Sequence, residues 1–201
     1  YLTEGDSDIE VKTLKTKYPQ GAERQIIYVA TGRRIHSKML PADAGCIVDN
    51  VQTIIAVYNA VCRSTPSMSR VITLTGDAMA QPQNYEVKFG MSHAEMLEEA
   101  GGLKEGGAQK LISGGPMMGM AMYDLNTPVT KTSSSILAMS KDEVAEWEPT
   151  NCIRCGRCAD VCPSHLVPQM MAQAAERDDL DYFQKINGME CYECGTCTYV
   201  C

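Results

Sequence analysis

Several things are missing from this sequence, and each absence excludes a class of protein. No stretch of the 201 residues approaches the ~20 consecutive apolar residues that cross a bilayer. The longest apolar run, Val48–Val61, is interrupted by Asp49, Asn50, Gln52 and Asn59. No leader is expected from these residues, since Tyr1 opens into Thr3, Glu4, Asp6 and Asp8 rather than into a basic and then an apolar segment. Basic charge is scarce, with 18 Lys and Arg against 25 Asp and Glu for a net charge of −7. That balance argues against a protein that neutralises a nucleic-acid backbone. Low-complexity segments and the G-x-G-x-x-G spacing of a dinucleotide loop do not occur. The lack of an initiator Met and the ending on Cys201 predict a piece of a longer protein.

Cysteine is present in an uneven way. Of 10 cysteines, eight lie between Cys152 and Cys201, while Cys46 and Cys62 sit in apolar surroundings with no partner pattern. A small disulfide-built domain distributes its cysteines along the chain. Here a cysteine-poor body precedes a cysteine-dense tail, which points to an inorganic organiser. Cys152, Cys155, Cys158 and Cys162 follow C-x2-C-x2-C-x3-C and are followed by Pro163. Cys191, Cys194, Cys197 and Cys201 repeat the spacing.

Three thiolates at three-residue steps wrap three corners of a cubane, and the fourth cysteine of such a run ligates the other cluster in two-cluster ferredoxins. The expected ligand sets are therefore Cys152, Cys155, Cys158 and Cys201 for one [4Fe–4S] cluster. Cys191, Cys194, Cys197 and Cys162 make the second set. Zinc uses four ligands, commonly as two C-x2-C pairs, and leaves a third cysteine of each run unexplained. Disulfides suit an oxidising compartment that nothing else in the sequence suggests. Arg154 and Arg157 lie within the first run and Glu193 within the second. Reduction adds negative charge, so these residues predict a higher potential for the first cluster. Charges that face solvent and are screened leave no such difference.

The remainder reads as alternating elements. Ile9, Val11 and Leu14 form part of an expected strand, Tyr18-Pro19-Gln20-Gly21 a turn, and Gln25–Ala30 a short buried strand. A helix is expected from Asp49 or Asn50 to Cys62, with Val51, Ile54, Ile55, Tyr58, Val61 and Cys62 recurring at helical steps. Val71–Thr75, Tyr85–Phe89 and Leu111–Ser113 read as strands. Ser92 with Glu95 predicts a capping box that opens a helix to Ala100. Strand–strand–helix–strand fits a small β-grasp module. Residues 125–135 read as irregular linker, and Ser140 with Glu143 as a second capping box for a helix ending near Trp147.

The whole sequence resembles the RnfC family, the C subunits of membrane-associated ferredoxin:NAD oxidoreductases that couple electron flow to ion transport. The likeness rests on K-Y-P-Q-G-A-E-R-Q (Lys17–Gln25), I-V-D-N-V-Q-T (Ile47–Thr53), G-G-P-M-M-G (Gly114–Gly119) and both cysteine runs. The first two also look like the flavin-binding region of the NADH-oxidising subunit of complex I, which carries one cluster where this chain has two runs.

The resemblance implies an FMN pocket in which Tyr18, Gly21, Ala22 and Glu23 match a turn near flavin and nicotinamide. Val48, Asp49, Asn50 and Thr53 match the helix start that meets the flavin ring or ribityl phosphate. A helix N-terminus suits a phosphate; plain N-capping accounts for Asp49 and Asn50 as well, and an ordinary surface turn for Tyr18–Glu23. The family's glycine-rich loop for flavin and NADH is absent from this chain, so the chain alone is expected to be inactive with NADH.

The likeness places Gly114–Met122 in a β-grasp, soluble-ligand-binding (SLBB-like) module, which makes Met117, Met118, Met120 and Met122 packing residues. His36, His93 and His165 are isolated and form no nucleophilic constellation.

The expected fold is an α/β flavin-domain remnant (1–66), a β-grasp (SLBB-like) module (67–123), a linker with a short helix (124–148) and an α-helical two-cluster ferredoxin-like domain (149–201). The resemblance further implies NAD(H) as substrate and the other subunits of a membrane complex as partners, a ferredoxin-like iron–sulfur subunit among them. Nucleic acid is not expected. The implied location is the cytoplasmic face of the membrane, with attachment indirect. Two other functions fit the residues: a related flavin and iron–sulfur cobalamin reductase, and a non-enzymatic wiring module.

Overall fold

A computed structural model describes residues 8–201. In chain order the helices are α1 (Glu23–Thr31), α2 (Val51–Arg63), α3 (His93–Glu99), α4 (Arg157–Asp160), α5 (Pro168–Glu176), α6 (Leu180–Lys185) and α7 (Thr196–Tyr199). The strands are β1 (Ser69–Thr75), β2 (Gln83–Lys88), β3 (Lys110–Ser113), β4 (Met120–Ala121) and β5 (Ser135–Met139). These elements form two compact units. One joins Tyr1–Val48 to Arg154–Cys201 and the other is Asp49–Ile153. Among the described residues no helix is long and apolar enough to cross a membrane.

The unit Asp49–Ile153 is built on a mixed sheet of order β2-β1-β5-β3-β4. β1 runs antiparallel to β2 and parallel to β5, and β5 runs antiparallel to β3. Alternation drives this arrangement: Ile72 and Leu74 of β1 point into the core, as do Ile136 and Ala138 of β5, while Val71 and Thr73 face outward. Met96 and Leu97 of α3 close over the same core with Val87 and Val129.

The Ser92–Glu95 capping box is present, with the Ser92 hydroxyl accepting the Glu95 N–H and Glu95 accepting the Ser92 N–H at 2.9 Å. α2 starts at Asn50 as expected, and the Asn50 side chain accepts the Gln52 N–H at 2.9 Å. Gln52 in turn exchanges two 3.1 Å hydrogen bonds with the Val71 backbone.

Several expectations are corrected. Ser135–Met139, which begins where the expected linker ends, forms the central strand: its S-I-L-A-M alternation buries Ile136 and Ala138 between two partner strands. Gln25–Ala30 is helical, not a strand. Its β-branched residues suggested β structure, but Glu23 in the first turn and left-handed Gly32 at the end are helix signals, and only Ile27 is buried. Ile9, Val11 and Leu14 form no strand and are exposed. Ser140 caps nothing: its hydroxyl donates to Asp77 and its N–H to the same carboxylate at 2.9 Å, so residues 143–146 make only a 3-10 turn. Met118 and Met120 are exposed, and of the methionines in that loop Met122 packs against the core.

The Asp77–Ser140 contact ties the end of β1 to the end of β5. The Ser140 hydroxyl, then its N–H, hold the Asp77 carboxyl below the usual carboxylate range. A depressed folded value contributes stability above the ordinary carboxylate pKa, and that contribution is lost as pH falls through the folded value. Asp77→Asn is therefore expected to lower the melting temperature at neutral pH. The difference from the parent should close under acid, as thermal melts across a pH series would show.

The other unit has small cores. Ile27, Ile35 and Ala44 are buried together, with Met39, Cys46 and Val48 packed against them. α5 packs on α6, and α4 on α7.

Candidate metal centre

The two cysteine runs fold the same way. Arg154 and Glu193, at matching places, take φ of 56° and 54°, and Gly156 and Gly195 take 80° and 76°. Each glycine then caps a four-residue helix, α4 or α7, carrying the third cysteine of its run. The left-handed glycine turns the chain between the second and third cysteines of the run. The repeat in sequence is thus a repeat in backbone.

The four cysteines expected as the second ligand set neighbour one another. Burial pushes the Cys191 thiol pKa up, and the neighbouring Cys197, Cys162 and Cys194 thiols push it further, while the Glu193 N–H opposes this. Three of these cysteines belong to the second run and one, Cys162, to the first. All four are half-buried, whereas Cys152, Cys155 and Cys201 of the other set are exposed and Cys158 is half-buried. Backbone N–H groups already point at two sulfurs: Glu193 donates to Cys191 Sγ at 3.3 Å and Leu166 to Cys162 Sγ at 3.4 Å. Such bonds stabilise a thiolate and tune a cluster's potential. The Thr196 hydroxyl lies 3.2 Å from Cys194 Sγ.

Among the described residues no three His, Cys, Asp or Glu side chains stand at the spacing of a single-ion site. The donor set, all thiols and with two N–H bonds to sulfur, is of the kind that holds an iron–sulfur cluster.

The expected flavin residues divide between the units. Tyr18-Pro19-Gln20-Gly21 is a turn, closed by Gln20 N–H to Lys17 O and Ala22 N–H to Pro19 O, both 2.9 Å. Ala22 is the N-cap of α1 and Glu23 its first residue. Tyr18 does more than turn: its hydroxyl donates to the Cys194 carbonyl at 2.7 Å. Val48 ends the stretch packed on the small core of its unit. Asp49, Asn50 and Thr53 belong to the other unit, at the start of α2. There Asn50 acts as an N-cap, and Thr53 donates its N–H to the Asn50 carbonyl at 2.9 Å.

Sequence reasoning missed a knot beside Cys191. Glu190 accepts from the Ser37 hydroxyl at 2.8 Å and the Ser37 N–H at 2.9 Å, and pairs with Arg24 at 3.3 Å. The Ser37 hydroxyl, above all, holds the Glu190 carboxyl below its ordinary range, assisted by the Ser37 N–H and the Arg24 charge against partial burial. The Arg24 guanidinium lies 5.1 Å from the Tyr192 ring centroid. The Ser164 hydroxyl donates to the Glu190 carbonyl at 3.0 Å. The available signal was a carboxylate immediately ahead of a cysteine run; its partners Ser37 and Arg24 lie 153 and 166 residues away and leave no local trace.

Known proteins agree with this architecture. Residues 2–59 match the Nuo51 FMN-binding domain, 71–121 the SLBB domain and 146–201 the 4Fe-4S dicluster domain. FMN and paired 4Fe–4S clusters are therefore the cofactors of the domain types represented here.

The C subunit of the proton-translocating ferredoxin:NAD(+) oxidoreductase complex of Clostridium ljungdahlii is 45% identical over 170 residues, covering 85% of this chain and 37% of that protein. Its counterpart in the Na(+)-translocating ferredoxin:NAD(+) oxidoreductase complex of Acetobacterium woodii is 42% identical over 185 residues, covering 92% and 42%. The C subunit of an ion-translocating oxidoreductase complex from Pseudomonas aeruginosa is 44% identical over 168 residues, covering 83% and 22%. The chain spans less than half the length of these relatives. With its three domain types in this order, the chain is similar over most of its length to the C subunits of ion-translocating ferredoxin:NAD(+) oxidoreductase complexes.

Proposed function

We propose that the protein to which this chain belongs passes electrons between NAD(H), FMN and two [4Fe–4S] clusters within a complex that couples the flow to ion transport. The observation that carries this reading is the shared neighbourhood of Cys162, Cys191, Cys194 and Cys197, drawn from both runs. It supports cross-ligation, with Cys152, Cys155, Cys158 and Cys201 holding the other cluster. The clusters supply one-electron redox chemistry when bound. The chain's own work is to set their potential and position.

Glu193 and Leu166 N–H groups favour charge on the second set of sulfurs. Arg154 and Arg157 carry positive charge into the first run, where Glu193 carries negative charge at the place matching Arg154. That asymmetry supports a higher potential for the first cluster. On the flavin side Tyr18, Gly21, Ala22 and Glu23 form one contact surface for FMN and nicotinamide, and Val48, Asp49, Asn50 and Thr53 a second. The partners are the complex's other subunits, one of them ferredoxin-like, and the protein lies peripherally at the cytoplasmic face of the membrane.

Anaerobic quantification of iron, sulfide and flavin in the full-length protein tests the reading. Two [4Fe–4S] clusters predict about eight irons per chain with one FMN. Zinc in place of iron, or iron without flavin, would overturn it.

A further inference from the structure

The unit built on the mixed sheet carries a cavity for which electron transfer has no use. It measures about 510 Å³ and is lined from the stretches 113–124 and 127–134 together with His93 of α3. Small-molecule sites occupy roughly 300–1,000 Å³. His93 is only 4% exposed. Its Nδ1 lies 2.6 Å from the Thr127 carbonyl and so carries the ring hydrogen, since a carbonyl only accepts. In the neutral ring Nε2 then bears the lone pair. That atom is buried, and among the described residues nothing donates to it. A buried acceptor without a partner is rare in folded proteins and calls for a physical reason.

We infer that this cavity binds a neutral, flat ring compound bearing one N–H or O–H, which donates its hydrogen to His93 Nε2. Each attribute of the ligand follows from the lining. The lone pair asks for a donor. Among the described residues no Lys or Arg lines the cavity to hold an anion, and the carboxylate there, Asp124, already accepts the Asn126 N–H and side-chain amide at 2.9 and 3.0 Å. Met118, Met120 and Tyr123 supply an apolar lip, exposed by 55, 77 and 100%. Thioethers and a phenol ring pack favourably on aromatic faces. The site belongs to the Asp49–Ile153 unit alone, so it stands apart from the function proposed above.

The walls are built before any ligand arrives. Gly119 donates its N–H to the Gly115 carbonyl at 2.8 Å, and a Cβ on Gly119 would collide with that carbonyl and with the Ile112 side chain. The loop bearing Met118 and Met120 is thereby pinned against β3. On the other stretch the Thr130 N–H donates to Ser133 Oγ at 3.1 Å, and the Thr130 and Thr132 hydroxyls lie 3.0 Å apart. These hydroxyls satisfy one another, which leaves His93 Nε2 as the group a ligand completes. His93 is itself fixed by two bonds to the Thr127 carbonyl, from its N–H at 3.1 Å and from Nδ1. Rigid walls lower the ordering cost of binding. One neutral hydrogen bond to a buried acceptor corresponds to about a three- to tenfold difference in affinity.

The test is an NMR titration of the full-length protein with isotope-labelled methionine methyl groups, Met118→Leu and Met120→Leu assigning the two signals at the lip. The probes are phenol, anisole (the same ring without the O–H) and benzoate, the anion. Phenol is expected to shift both methyl signals saturably and to bind about three- to tenfold more tightly than anisole, with benzoate weakest. The absence of a saturable shift with phenol, equal binding of phenol and anisole, or tightest binding of benzoate would each overturn the inference. His93→Phe keeps a ring but offers no acceptor, and it should bring phenol down to the affinity of anisole. A folded His93→Phe that still prefers phenol would overturn the inference as well. If that variant does not fold, the comparison of phenol with anisole on the parent protein decides alone. Iron and flavin do not enter the readout, so a negative result leaves the proposed function standing.

Discussion

Cys162→Ala is expected to destroy the cluster of the distant run and spare the one organised by its own neighbours. Iron should fall from about eight to about four per chain. The EPR signal lost should be the one lost in Cys197→Ala, not the one lost in Cys158→Ala. The reason is spatial: Cys162 shares the neighbourhood of Cys191, Cys194 and Cys197, and its sulfur already accepts the Leu166 N–H. A [4Fe–4S] cluster stripped to three thiolates is left open at one iron, a corner that water fills poorly. If Cys162→Ala instead reproduced the Cys158→Ala spectrum, each run would keep its own fourth cysteine and cross-ligation would be wrong.

The second large effect belongs to the sheet. Gly76, at the end of β1, has φ of 115°, and a Cβ there would run into the backbone carbonyl of Ala138 in β5. The same carbonyl accepts the Ala78 N–H at 3.2 Å, so it cannot move aside without breaking the turn. Gly76→Ala combines a backbone strain with a clash in the central strand pair, expected to cost about 3 kcal/mol or more. In a chain of this size that is a loss of roughly 6–12 °C in the melting temperature. Differential scanning calorimetry checks it, with Gly90→Ala as a comparison in which strain acts without a clash: its Cβ would meet nothing within 4 Å. Equal losses in the two variants would show that the Ala138 contact is immaterial.

What could be read from the residues was whatever is local. Cysteine spacing, the Ser92–Glu95 box, the Tyr18–Gly21 turn and the periodicity of α2 each depend on residues within a few turns of one another. The box, the turn and the helix are all found, and the repeated spacing reappears as a repeated backbone. Q-I-I-Y-V-A misled because β-branched residues favour strands on average, while Glu23 and Gly32 at its flanks decided for helix. S-I-L-A-M escaped because five residues after a Thr- and Ser-rich stretch carry little signal; its place between β1 and β3 is what makes it a strand. Ser140 has the sequence of a cap, yet Asp77, 63 residues away, competes for it and wins. The Glu190 knot is the extreme case, since nothing near Ser37 or Arg24 announces a partner so far along the chain.

That discontinuity also has a bearing on synthesis. Ser37 and Glu190 are 153 residues apart, and at about 5–20 residues per second the ribosome needs roughly 8–30 s to bridge them. The sheet unit, contiguous from Asp49 to Ile153, is complete and able to fold within that interval. The first half of the other unit must wait, its Ser37 and Arg24 without their carboxylate, until the last cysteines emerge. Insertion of iron and closure of the knot are therefore events of the same moment, and a shortage of iron would be felt by the segment around Ser37 and Arg24, made well before it.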